Sequence, residues 1–168
     1  MAFSLLFLIL MWSLFTLPGY ILTGIGLHTI AARRGIDRPW LAWVPGVRFY
    51  LAGCISDQYQ AMVIGKNKNK RTVLLVLVLV LLAAFCGMHL VAPAAGNTAE
   101  ALPFLLIFLP AWGAGAALAV IFYMALYDIY RSCDPKNAVL FLVLSITVNV
   151  TQPFFLFFSR KKDLGFPL

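Results

Sequence analysis

Apolar residues along this chain do not alternate with polar ones. They run together, in stretches longer than a soluble core requires. From Phe3 to Ile30 the sequence stays apolar for more than the roughly 20 residues that cross a hydrocarbon core, and Arg33-Arg34 closes it. Val73 to Val91 is a second such run, mostly Leu, Val and Ala, entered from Lys66-Asn67-Lys68-Asn69-Lys70-Arg71. Leu102 to Ile129 is a third, ending at Arg131. Each run predicts a membrane-spanning helix. Pro18-Gly19 inside the first predicts a kink, and Pro93 with Gly96-Asn97 predicts the turn after the second.

Two apolar segments break this pattern. A single helix over Pro39–Ser56 would set Arg48 near the bilayer centre, at about 2.5–3.5 kcal/mol on the lenient insertion scale. It would also contain Pro45-Gly46 and carry the 66–71 run to the outer face. Residues 39–57 are therefore expected to form a broken helical hairpin that dips in and returns, or lies at the interface. Trp40, Trp43 and Tyr50 would anchor it. Residues 137–158 are interrupted by Asn149, Thr151, Gln152 and Pro153, with basic clusters at both ends. Half-helices of about ten residues reach about 15 Å, half of the core, which suits a re-entrant hairpin; a full span is the alternative. The expected fold is an all-α integral membrane protein, one domain over residues 1–168. It has three transmembrane helices (about 3–30, 73–91 and 102–129) plus two broken, re-entrant segments, with four to five spans as the alternative.

Composition and charge give the orientation. The chain is 62% hydrophobic and 11% charged, under half the charge of a soluble domain. Its 13 Lys and Arg fall at 33–38, 66–71, 131–136 and 160–162, with Arg48 standing apart. Clusters beside spans face the cytoplasm, and the turn 92–101 carries Glu100 and no Lys or Arg. The N-terminus is thus expected outside, the C-terminus cytoplasmic, and the protein multi-pass in a plasma membrane. The net charge of +7 suits anionic lipid headgroups and not nucleic acid, since it flanks apolar runs instead of forming a groove. Met1-Ala2-Phe3-Ser4 lacks a basic n-region and a cleavage site, which predicts a retained first span. Cys54, Cys86 and Cys133 are scattered and read as packing residues.

The chain also divides into two similar units around the second span. Each has a long helix, a short basic turn containing Asp (Arg33 to Arg38; Arg131 to Lys136), and a broken apolar segment with a proline. Internal repeats of this kind can place a site where broken helices meet. Chance recurrence of inside-positive turns is the alternative.

The turns Arg33-Arg34-Gly35-Ile36-Asp37-Arg38-Pro39-Trp40-Leu41-Ala42-Trp43-Val44-Pro45 and Asp134-Pro135-Lys136-Asn137-Ala138-Val139 resemble segments of uncharacterised small polytopic membrane proteins of Gram-positive, clostridia-type bacteria. The likeness extends through Gln152-Pro153-Phe154-Phe155-Leu156-Phe157 to Arg160-Lys161-Lys162 and covers about half of the chain. It implies a bacterial origin and transfers no site residues.

Several constellations are candidates for chemistry. Arg48, inside an apolar segment, needs a partner, and Asp57 and Asp128 are the carboxylates that would balance it. The alternative is an arginine snorkelling to the headgroups. Asn149-Val150-Thr151-Gln152-Pro153 offers polar side chains at a helix break, as transporter sites do, although the same groups could cap the break. Its match to a glycosylation sequon is discounted within an apolar bacterial segment. If the broken segments meet, Arg48, Asn149 and Gln152 should line one water-accessible cavity.

Tyr123, Tyr127 and Tyr130 form a stripe on the third span, beside a possible Asp128–Arg131 pair at i, i+3. Higher up, Ala111, Gly115 and Ala119 repeat every four residues, with Gly113 and Ala117 parallel to them. Such rows let helices approach closely and predict a contact face. His28 and His89 lie at opposite faces, so no metal site is expected, and no cofactor is implied. No catalytic motif is present. The expected function is an oligomeric membrane transport pathway, a channel or carrier. The alternatives are an accessory subunit of a larger membrane complex and, third, a membrane-embedded enzyme acting on a lipid.

Overall fold

The structure is a computed structural model, described over residues 2–63, 65, 68–91 and 101–162, with side chains over 16–63, 65, 68–89 and 105–162. Six helices account for nearly all of it: α1 Ala2–Arg33, α2 Val47–Val63, α3 Lys70–Val91, α4 Ala101–Cys133, α5 Ala138–Thr147 and α6 Gln152–Ser159. Short 3₁₀ turns cover Pro39–Trp43 and Asn149–Thr151, and there is no strand among the described residues. The turn expected over 92–101 lies outside the described residues, except for Ala101.

Among the described residues, two helices are long and apolar enough to cross a membrane, over Lys70–His89 and Leu105–Cys133. Only 6% of each apolar window is buried, so neither is the core helix of a water-soluble fold. Their large side chains face outward, Leu106 67% and Trp112 73% exposed, and apolar surface of this kind calls for a non-aqueous neighbour. The core lies at the other end, where the basic turns gather. Leu27 and Ile30 of α1, Leu51 and Ile55 of α2, Leu74 of α3, Ile129 and Tyr130 of α4 and Leu156 of α6 are fully buried there.

Local chemistry sets where α1 stops. Gly35 takes φ +63, its N–H reaches the Ala32 carbonyl at 3.3 Å, and the Ile36 N–H reaches the Ala31 carbonyl at 3.0 Å. This paired closure satisfies the last carbonyls, and a residue without Cβ adopts its left-handed φ at no steric cost. The 3₁₀ turn follows, the chain breaks at Val44-Pro45-Gly46, and α2 runs back.

Both broken segments return to where they began. Gln58 Nε2, far along α2, donates to the Arg34 carbonyl at 3.1 Å. Lys162 Nζ, beyond α6, lies 3.0 Å from Asp134, just before α5. Arg33 Nη1 donates to the Arg160 carbonyl at 3.1 Å, which ties the C-terminal end of α1 to the same place. The first hairpin is longer than the expected 39–57, because α2 continues to Val63. Asp57 reads as a polar terminus in sequence, yet it is used inside the fold, and Tyr59 and Gln60 beyond it are buried.

Candidate functional site

The polar residues separate into two groups. The first is closed. Asp128 on α4 accepts from Lys70 Nζ at 2.7 Å, from Gln60 Nε2 at 2.8 Å and from the Ser56 hydroxyl. Lys70 is 8% and Asp128 6% exposed, so this is a buried ion pair, with all three donors meeting at the one oxygen Oδ2. Ser56 and Gln60 stand at i, i+4 and present one polar face of α2 to it.

Asp57 has a different job. Its Oδ1 accepts from the Lys70 N–H at 2.9 Å and its Oδ2 from the Arg71 N–H at 3.0 Å. It therefore caps α3 from a neighbouring helix and meets its positive dipole end. Gly53, one turn earlier, permits this: a Cβ there would lie 2.6 Å from the Arg71 Cα, so only glycine lets the two backbones come so close.

These contacts revise two expectations. Asp57 and Asp128 are both engaged around Lys70 and the start of α3, so neither balances Arg48. Asp128 turns inward, while Arg131 points outward and is exposed. The Tyr stripe also divides: Tyr130 is buried with its hydroxyl 3.1 Å from Ser145 Oγ, and Tyr123 faces the second group.

The second group is open. Arg48, Asn149 and Gln152 line one cavity of about 830 Å³, together with parts of α1 and α4. Arg48 sits where α2 starts, and Asn149 and Gln152 sit at the break between α5 and α6, so the tips of both hairpins contribute. The depth follows from neighbouring rings. Phe49 and Phe122 pack edge-on with centroids 4.7 Å apart, and Phe122 precedes Arg131 by nine residues, or about 13 Å of helix. Arg48 thus lies about 13 Å along α4 from Arg131.

Arg48 faces aromatic rings and no carboxylate. Its guanidinium lies 5.3 Å from the Tyr20 ring centroid and 5.4 Å from that of Phe49, and among the described residues no acidic side chain is within ion-pair distance. Tyr20 is itself fixed, its hydroxyl donating to the Trp43 carbonyl.

At the second tip, the structural work is done by threonines. Thr151 Oγ1 donates to the Leu144 carbonyl at 3.0 Å and the Val148 carbonyl at 2.7 Å, and Thr147 to the Val143 carbonyl at 2.9 Å. These hydroxyls hold the Val143, Leu144 and Val148 carbonyls beside the break, and among the described residues the side-chain amides of Asn149 and Gln152 make no hydrogen bond. They are available to something else.

Gly115 and Ala119 of the small-residue row also line this cavity, and a Cβ at Gly115 would meet nothing within 4 Å. Gly113 is likewise open among the described residues. Sequence reasoning did not single out Lys70, Ser56, Gln60 or Tyr20. Lys70 was hidden in a basic run, though the Ser56/Gln60 spacing was a legible signal. Among the described residues no group of three metal-ligating side chains converges. The chain matches no known protein-family model, no curated protein and no solved structure.

Proposed function

We propose that the chain is a small bacterial integral membrane protein that forms, or contributes to, a transport pathway for an anionic substrate. In this reading α1, α3 and α4 span the plasma membrane, the two hairpins re-enter from the cytoplasmic side, and the C-terminus is cytoplasmic. The observation that carries it is the cavity where the hairpin tips meet. Among the described residues, it holds a cation without a carboxylate and two amides without partners. Irregular backbone at such depth is tolerated where it lines a cavity, and transporters build their sites from broken helices there. Three spans with two half-spans enclose too little to seal a path alone, so several copies are expected to assemble.

The test is exchange across proteoliposomes of two probes, radiolabelled inorganic phosphate and tail-labelled phosphatidylglycerol. Exchange of either above protein-free vesicles, and lost in Arg48→Ala, is the expected result. Rates equal to protein-free vesicles for both probes would overturn it.

The open space beside Gly113 and Gly115 favours a second reading, an accessory subunit whose α4 face awaits another protein. Mass in mild detergent separates the two: a defined homo-oligomer supports transport by copies of this chain, and a monomer that co-purifies with a different protein supports the accessory role.

A further inference from the structure

The cavity has two unlike halves. Arg48, Asn149 and Gln152 supply the polar one, and Leu118, Phe122 and Phe154 supply an apolar wall. At its mouth Leu17, 55% exposed, and Phe154, 45% exposed, present apolar side chains suited to lipid tails beside the exposed Thr16 and Asn149. At about 830 Å³ it lies in the upper part of the range of sites that bury whole organic ligands, about 300–1,000 Å³. A bare inorganic anion would engage the polar half and leave the apolar half unfilled.

Resting on the transport reading above, we infer that this cavity takes a phosphate-type oxyanion carried on an apolar body, entering sideways from the bilayer. The oxyanion meets the guanidinium of Arg48, whose planar fork matches two phosphate oxygens, and the amide N–H groups of Asn149 and Gln152 complete the donors. The tail lies along Leu118, Phe122 and Phe154. Among the described residues no carboxylate competes for Arg48, and half-buried beside aromatic rings its guanidinium attracts an anion more strongly than in bulk water. A zwitterionic headgroup is a poorer fit, because its ammonium brings a second positive charge to a site that has no acid to receive it.

Thermal unfolding of the purified full chain in one detergent tests this, since a ligand that binds only the folded state raises the midpoint by mass action. Three probes are compared: short-chain phosphatidylglycerol, phosphatidylcholine of the same chain length, and inorganic phosphate. The expected result is a clear rise with phosphatidylglycerol, a small one with phosphatidylcholine and none with phosphate. Arg48→Ala should need about tenfold more phosphatidylglycerol for the same rise, the loss expected for a charge-assisted hydrogen bond. Gly115→Leu keeps every donor but intrudes on the cavity, and should weaken the phosphatidylglycerol response as well. An equal response in wild type, Arg48→Ala and Gly115→Leu would overturn the inference, and so would no response at all. A rise with inorganic phosphate as large as with the lipid would also overturn it. If vesicle exchange of phosphate still depends on Arg48 in that event, the transport reading stands and only the amphiphile falls.

Discussion

Lys70 and Arg48 are both cations set among apolar helices, and their surroundings differ in kind. Lys70 is enclosed, with the Asp128 carboxylate at 2.7 Å and Ser56 and Gln60 bonding the same oxygen. Its own N–H, with that of Arg71, is capped by Asp57. Arg48 has two aromatic rings and a cavity. A buried charge held by its counter-ion has little left to offer a ligand, and its removal should damage the fold. An open charge contributes little to the fold and can bind. The difference separates polarity that holds this molecule together from polarity available for work.

Breaking the closed group should have the largest effect. Asp128→Ala would leave the Lys70 ammonium buried without a partner, lowering stability by about 3–5 kcal/mol in denaturant unfolding of detergent-solubilised protein. Pairing Asp128→Leu with Lys70→Met removes both charges and should recover most of that loss. If Asp128→Ala unfolds like wild type, the pair is not a buried one.

Asp57→Ala comes next. It strips the cap from two N–H groups at the start of α3 while leaving the ion pair in place, and should cost about 1–2 kcal/mol in the same experiment. A loss as large as that of Asp128→Ala would mean that cap and pair form one unit.

Arg48→Ala should scarcely register in unfolding, at about 0.5–1 kcal/mol for the lost ring contacts, while anion exchange disappears. A loss of several kcal/mol would mean that Arg48 holds the fold together as Lys70 does, and the contrast would fail.

The smallest effect concerns the exposed pair that closes the second hairpin. The Lys162 ammonium, and then Asn137, hold the Asp134 carboxyl below the usual carboxylate range. Because the folded state lowers this pKa, the pair contributes above the ordinary Asp value of about 3.9 and is lost as pH falls below it. Hydrogen exchange at residues 160–162 should therefore loosen relative to neutral pH only in acid, after correction for the intrinsic rate. Lys162→Ala should remove that acid-dependent step. Loosening already at neutral pH would show that the pair contributes nothing.

Much of this was legible in the sequence, because hydrophobic runs and basic clusters are long-range signals that survive without tertiary knowledge. The runs beginning near Val73 and Leu102 correspond to α3 and α4, and Pro45-Gly46 and Asn149–Pro153 mark real breaks. The partnering of charges was not legible. Asp57 and Asp128 look like natural partners for a lone arginine, yet which cation a carboxylate meets depends on how far each helix has turned and where it crosses its neighbour. Here Gly53 decides it, by admitting the start of α3 close enough for Asp57 to cap it. A glycine in a helix interior reads as a weak point until the backbone lying against it is known. The end of α2 is illegible for a related reason: Asp57 looks like a boundary in sequence, but its charge is satisfied within the fold.

Both hairpins must return to the side they left for their tips to share a cavity. Single-cysteine labelling by a membrane-impermeant reagent, in a cysteine-free background, tests this directly with Arg38→Cys, Lys68→Cys, Lys136→Cys and Lys162→Cys. All four should be protected in intact cells and react only once the membrane is opened. Labelling of Lys68→Cys from outside would turn residues 39–57 into a span, labelling of Lys162→Cys from outside would do the same for 137–158, and either result would contradict the shared cavity.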